Sequence, residues 1–462
     1  MQSTSPSGLE PESKLAGARS LPKISVGLRT GLLIVAGLTI YISLFLDTVK
    51  SSFIGIPFGD AYDFILVEFR AQDQHNPGLY LWQPHNGHHL VWIRLLTHLD
   101  VALFHGRSTI FAVAALIAIF AAVGLLSQAI WRNIADRRLA ATLIAVPTLA
   151  LLTAINAIDV SIPVNVVYVF SLVFAVAAIL MLENDRSGFG AVFAILALIA
   201  GAAMGNSVGL AAVPVAMIAV ARRKERGKLP LLWIAGPALA ALFIVHAGQL
   251  RVEVIAPATT PTDRIFRDVH YFLSFCGLPW SASSSKMSLP ADLQTATQAV
   301  GPILGLVVAA VGMFLVVRAP AEGGTRTRLD RICCDLILFS LAAAAMAALG
   351  RADASAGIPV RYGLIMAPLH IGVLILLAIR VPAFQRLGEG ALTAVVAIVL
   401  TASVAHQIAG RYVIVHYSSK LEAQLRAFNA GRRDPAMTEY IYPQLAHAEE
   451  MNAEMKKRGV YQ

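Results

Sequence analysis

The sequence predicts an all-α fold, a polytopic transmembrane helical bundle, and three observations carry that prediction. Of the 462 residues, 57% are hydrophobic and only 14% are charged, against about 45–50% and about 25% in an average soluble domain. Mean hydropathy is +0.67 over the whole chain. Apolar stretches near the roughly 20 residues that a bilayer core demands of a helix recur from one end to the other. Together these exclude a soluble enzyme, a disordered chain and a disulfide scaffold. Cys276, Cys333 and Cys334 cannot make a framework of bridges and read as apolar filler. The net charge of +9 reads as basic residues gathered on the loops of one membrane face, with no nucleic-acid partner.

About eleven spans follow: 30–48, 108–130, 139–158, 163–182, 188–205, 207–221, 230–248, 297–318, 332–349, 362–380 and 390–408. Two of them, 188–205 and 207–221, are short and meet at the turn-like triplet Gly205-Asn206-Ser207. A single broken or re-entrant element is the alternative there. With the N-terminus in the cytoplasm, Lys and Arg are about threefold denser in the inside segments than in the outer loops. The expected organisation is a cytoplasmic tail over 1–29, a membrane domain over 30–408 with outer loops 48–107, 249–295 and 350–361, and an outer-face helical tail over 409–462. Residues 1–22 are polar and the first apolar stretch is span-length, which predicts a signal-anchor helix rather than a cleaved leader. In the tail, a short amphipathic helix around 421–428, a break at 431–435 and a second helix near 444–457 are expected.

Ionisable side chains are costly in hydrocarbon, so their placement is informative. The spans carry almost none, and the polar residues crowd the expected outer loops. Loop 48–107 is the richest. Asp60 and Asp63 stand three apart and share one face if a helix begins beside them. A carboxylate there can act as a general base on a sugar hydroxyl or hold a divalent cation; Asp60 can equally serve as the N-cap of the helix that follows. Six of the twelve histidines lie between 75 and 105. His85, Asn86, His88 and His89 sit in the stretch Pro84-His85-Asn86-Gly87-His88-His89. Zinc is disfavoured, because no H-E-x-x-H and no cysteine pair accompanies them; His85, Asn86 and His88 read better as ligands for phosphate or carbohydrate. Residues 88–105 are amphipathic, with His89, Arg94, His98 and Asp100 on the polar side, which suits a helix lying in the interface plane against membrane lipids.

Loop 350–361 sets Arg351 and Arg361 at the mouths of two spans, with Tyr362 next to the second. Two guanidiniums so placed suit a phosphate or pyrophosphate; contact with lipid headgroups is the alternative. Loop 249–295 carries charged residues and then an apolar run ending at Gly277-Leu278-Pro279, too short to span, and reads as an interfacial or re-entrant helix.

The topology, the acidic motif early in the first outer loop and the interfacial helix there resemble the GT-C superfamily of integral membrane glycosyltransferases. The stretch 84–89 and the pair Gly350-Arg351 and Val360-Arg361-Tyr362 also look like an H-N-E-H-R stretch and a later Gly-Arg…Ser-Arg-Tyr loop of poorly characterised bacterial membrane proteins, with departures at Gly87 and His89. The resemblance implies a polyprenyl-phosphate-linked sugar as donor, a glycan or lipid as acceptor, and a place in the bacterial inner membrane, in cell-envelope polysaccharide biosynthesis. It places the general base at Asp60, with Asp63 beside it. No cofactor is required; a divalent cation is compatible. No Gly-rich phosphate loop or dinucleotide fingerprint is present. The expected reaction is an inverting transfer, with Arg351 and Arg361 on the leaving phosphate. The alternatives are a non-enzymatic lipid or polysaccharide exporter, which needs polar lining through the spans, and an O-acyltransferase, for which His370 is the one candidate.

Overall fold

The structure is a computed structural model that describes residues 26–85, 88–184, 189–222, 260–278, 291–318, 327–351, 360–434, 437 and 445–460. Among the described residues every regular element is helical. Among the described residues seven helices are long and apolar enough to cross a membrane: Leu28–Ser52, Thr109–Asn133, Pro163–Leu182, Ala299–Val317, Arg328–Gly350, Gly363–Arg380 and Glu389–Asn429. The chain is thus a multi-pass helical membrane protein. Its outward apolar side chains, Ile117, Phe193, Ile303 and Ile398 among them, remain exposed, as a lipid-facing belt requires.

We number the helices in chain order. Those that place the site are α1 (Val26–Ser52), α2 (Asp60–Asp73), α3 (Pro77–Trp82), α4 (Val91–Phe104), α5 (Thr109–Asn133), α6 (Arg137–Leu151), α7 (Ile158–Ser161), α8 (Val166–Leu182), α9 (Phe189–Gly205) and α10 (Ala212–Arg222). After them come α11 (Pro261–Cys276), α12 (Ala291–Val317), α13 (Arg328–Arg351), α14 (Gly363–Arg380), α15 (Pro382–Gln385), α16 (Glu389–Asn429) and α17 (Leu445–Lys457). In the bundle α1 packs along α16, α8 between α5 and α9, α13 against α14, and α11 against α12.

Three of the expected spans take other forms, and a fourth, 230–248, lies outside the described residues. The run 139–158 is bent by 56° between α6 and the helical turns Ile155–Ser161. Pro147 lies inside α6, and Asn156 turns its side-chain amide back onto the carbonyls of Ala150 and Leu151, 3.1 Å from each. The bend therefore carries its own capping group. Residues 188–205 and 207–221 form two short helices joined at Asn206, whose side chain caps the second by accepting from Val208 N. Gly205 is needed at this corner: a Cβ there would lie 2.5 Å from Ser171 Oγ and 2.7 Å from the Val167 carbonyl. Neither half reaches the roughly 20 residues of a span.

Charge collects at one end of the bundle, mostly just beyond the expected spans. Glu183 follows α8 and accepts from Arg331 at the start of α13, 2.5 Å away. Arg380, closing α14, donates to Asp330, 2.7 Å away. Arg222, closing α10, pairs with the fully buried Asp335. Because these groups end α8, α10 and α14 and begin α13, they mark one end of the bundle. The starts of α5, α8 and α14 and the end of α13 then lie at the other.

Helix α16 runs straight through residues 408 and 409, where the membrane domain was expected to give way to the tail. It runs 41 residues without a break, about 61 Å at 1.5 Å per residue, twice a bilayer core of about 30 Å. Beyond Gly410 its buried residues change partners. Ile414 joins Ile155, Ile158 and Ile162; Leu421, Leu425 and Phe428 join Tyr62, Ile65 and Phe69 of α2 and Met451 and Met455 of α17 in a satellite core. Arg458, just past α17, donates to both carboxylate oxygens of Asp73 at 3.2 and 2.7 Å and lies over the Phe69 ring. The expected second tail helix is present, and it packs on α2.

Helix α4 keeps part of its expected pattern, with Ile93 and Leu96 buried and His98 exposed, and departs from it at two polar residues. Arg94 and Asp100, assigned to a wet face, are 1% and 2% exposed, while Leu103 is exposed. Asp100 accepts from the backbone N–H groups of Ser108 and Ile110 at 2.7 and 3.1 Å, capping α5, and Arg94 lies between the rings of Phe64 and Tyr80. A cap eight to ten residues away outweighed the amphipathic pattern. Helix α11 starts with a capping box between Thr260 and Asp263 and exposes Ile265 and Phe266. Its C-terminal half is inserted: His370 Nε2, within α14, donates to the Cys276 carbonyl, 3.0 Å away. That contact gives His370 a structural role.

Candidate functional site

Helix α2 begins at Asp60 because Gly59, with φ 54°, turns the chain as only glycine does readily. Gly59 occupies the cap position and no side chain caps the helix. The capping reading of Asp60 is therefore corrected: Asp60 is the first helical residue, and its carboxylate does not cap the helix. Asp63 follows in the same turn, so both carboxylates share a face and both meet the positive end of the helix dipole.

His85 is delivered by a bridge. The backbones of His85 and His88 exchange hydrogen bonds of 2.9 Å in both directions, and Asn86 and Gly87 lie outside the described residues. This sets His85 Nε2 3.6 Å from Asp60 Oδ2 and its ring 4.7 Å from that of Phe64. The neighbouring histidines diverge. His88 Nδ1 hydrogen-bonds the Ser207 hydroxyl in the broken element; His89 Nδ1 donates to the Trp82 carbonyl, 2.7 Å away, and stacks on that indole. Of the three, His85 alone joins the aspartates. One ligand atom each of Asp60, Asp63 and His85 lie within 4.8 Å of one another, the one such group among the described residues.

Arg361 reaches the same place from the other half of the chain. It sits in the helical turn Val360–Tyr362, before α14, and Asp60 and Asp159 both act on its charge. Attraction from Tyr168, then Tyr362, Asp60 and Asp159, outweighs burial and holds the guanidinium above its ordinary pKa, so it stays a cation. Its Nε is buried with no hydrogen-bond partner. Tyr362 is 2% exposed and packs between Tyr168, at 5.0 Å, and Phe275 of α11, at 4.8 Å. Its ring is a wall of the site. Helix α13 ends at Arg351 at this end of the bundle, but the Arg351 side chain and loop 352–359 lie outside the described residues.

Two residues here were not anticipated. Asp159, in α7, is fully buried and neither carboxylate oxygen has a hydrogen-bond partner; its one recorded charge partner is Arg361. A lone acid in the apolar run 155–162 is a signal that the sequence offered. His447, from α17, sets Nε2 3.7 Å from Asp63 Oδ1. Nothing local in the sequence announces that contact. The site thus draws on α2, the 85–88 bridge, α7, the turn before α14, and α17.

No family model, curated protein or solved structure matches this chain. The residues and their geometry are therefore the whole basis for a functional reading.

Proposed function

We propose that the protein is an integral membrane glycosyltransferase that moves a sugar from a polyprenyl-phosphate donor to a hydroxyl of a glycan or lipid acceptor. The observation that carries this reading is that Arg361, whose Nε is buried without a hydrogen-bond partner, lies within electrostatic reach of Asp60. A carboxylate at a helix start and this guanidinium stand at the same end of an apolar bundle, where a lipid phosphate would present its head. Asp60 accepts the acceptor hydroxyl's proton, and the oxygen attacks the anomeric carbon. The bond from that carbon to the phosphate oxygen breaks, its electron pair stays on the phosphate, and Arg361 offsets the charge developing there. Attack opposite the leaving group inverts the anomeric centre. Asp63 is the alternative base.

Orientation follows from charge. Arg132, Arg138, Arg222, Arg331 and Arg380 stand at the bundle end opposite Asp60, which favours that end as cytoplasmic and the site as outward-facing in a bacterial inner membrane. The experiment uses purified protein in proteoliposomes with a polyprenyl-phosphate sugar. Arg361→Lys keeps the charge and loses the forked guanidinium. Strong loss of transfer with unchanged folding supports the reading, and wild-type transfer in Arg361→Ala overturns it.

A further inference from the structure

The transferase reading uses one oxygen of Asp60, keeps Asp63 only as the alternative base, and gives His85 and His447 no part. Their spacing suggests one. His85 Nε2 to Asp60 Oδ2 is 3.6 Å, and His447 Nε2 to Asp63 Oδ1 is 3.7 Å. Both exceed the roughly 2.7–3.2 Å of a nitrogen–oxygen hydrogen bond. Ligands bound at about 2.0–2.2 Å in a tetrahedron stand about 3.3–3.6 Å apart along its edges. The first spacing is that of two ligands sharing an ion, and Asp63 completes a triad within 4.8 Å.

The triad is held before any ion arrives. Asp60 and Asp63 are locked in one helical turn, α2 is fixed by the satellite core, and the 85–88 bridge and Phe64 hold the imidazole. One imidazole nitrogen with two carboxylates favours zinc, manganese or iron over magnesium or calcium, which prefer oxygen alone. Asp60 is half exposed, so coordination positions remain open to a further ligand.

Charge gives a second, independent argument. The fully buried Asp159, with no hydrogen-bond partner on either oxygen, faces the same Arg361 that faces Asp60. Burial without a hydrogen bond favours the neutral acid at Asp159, so the two carboxylates of Asp60 and Asp63 set against one guanidinium leave one negative charge where a phosphate would bind. A divalent cation would cancel it and turn the balance in favour of the phosphate.

We propose that Asp60, Asp63 and His85 hold a divalent transition-metal ion, of the zinc or manganese class, and that His447 of α17 is a positioning residue that fixes Asp63. Glu450, 3.7 Å from His447 Nδ1, gives His447 an outer partner of the kind that orients imidazoles near metals. The ion takes one oxygen of Asp60 and leaves the other for the proton. The site stands on these residues alone; its role opposite the donor phosphate rests on the transferase reading.

The test uses the full chain, purified without a histidine tag, stripped with chelator and titrated calorimetrically with Zn2+ and with Mn2+, with no donor or acceptor present. Wild-type protein takes up one equivalent. Asp63→Asn and His85→Gln each weaken binding by more than the roughly 10–100-fold typical of an outer-shell change, while His447→Gln weakens it about tenfold, with thermal unfolding of the stripped variants unchanged. Glu422→Gln, which breaks an exposed pair with Arg426 far from the triad, binds as wild type. No uptake by wild type, or wild-type affinity in both Asp63→Asn and His85→Gln, overturns the site. Wild-type affinity in His447→Gln overturns the part given to α17. The readout is binding, so loss of the transferase reading would leave the result standing, and the reverse holds too.

Discussion

Substituting Asp60 by Asn separates catalysis from folding more sharply than the sequence suggested. The cap position belongs to Gly59 and no side-chain cap bond exists, so Asp60→Asn forfeits only the attraction of a charge to the first turn, about 0.3–1 kcal/mol at an exposed helix start. With its side chain 46% exposed, the lower end of that range applies. General-base assistance is typically worth about 10²–10⁴-fold, or about 2.7–5.4 kcal/mol of barrier at 1.36 kcal/mol per decade. Loss of rate should therefore exceed loss of stability several times over. Transfer of a fluorescent polyprenyl-phosphate sugar in proteoliposomes, beside thermal unfolding in detergent, measures both. We expect at least about a hundredfold slower transfer and a near wild-type unfolding temperature, and Asp60→Ala should match Asp60→Asn in stability. Transfer within about threefold of wild type in Asp60→Asn and in Asp63→Asn would refute the base. A large stability gap between Asp60→Ala and Asp60→Asn would refute the argument about the cap.

Three further outcomes follow from particular contacts. Asp159→Asn removes the buried carboxylate facing Arg361; transfer should change while the unfolding temperature holds, and an unchanged rate would show that Arg361 is set by other groups. Asp335→Ala strands Arg222, and removing one partner of a buried pair costs about 3–5 kcal/mol; since the Arg222 side chain is 27% exposed and can reach water, about 3 kcal/mol or less is expected, read as a fall in unfolding temperature. Asp73 is held below its ordinary value by the hydrogen bond from Arg458, so its contribution to docking α17 is full at neutral pH and is lost as pH falls through that lowered value, below about 4. Hydrogen exchange at α17 should rise only there, and a rise near pH 6 would assign the docking to another group.

Much of the membrane domain was legible because long apolar runs have few alternatives. Helices over 28–52, 109–133, 163–182, 299–317, 328–350 and 363–380 fall where hydropathy put them. The bend at 151–155 was not, since it depends on where the Asn156 amide turns, and hydropathy does not record that. The length of the last long helix was not legible for a similar reason. Hydropathy drops near residue 408, but the helical repeat continues through Ile414, Leu421, Leu425 and Phe428, and helices end on caps rather than on polarity. At the site, Asp60, Asp63, His85 and Arg361 were singled out from residue type and position, and the structure brings them together. The buried face of α4 and the contact between His447 and Asp63 were illegible, because each depends on a partner remote in sequence. Asp159 was legible in principle: an acid in an apolar run has to find a partner, and here that partner is Arg361.

The central claim is that this end of the bundle breaks the bond between a sugar and a lipid phosphate. The most direct measurement is mass spectrometry of the lipid after wild-type protein has acted on a polyprenyl-phosphate sugar with acceptor present. The account predicts free polyprenyl phosphate in equal amount to the glycosylated acceptor, with neither formed by Asp60→Asn or Arg361→Lys. Recovery of the intact donor, moved across the bilayer and chemically unchanged, would contradict it and identify an exporter.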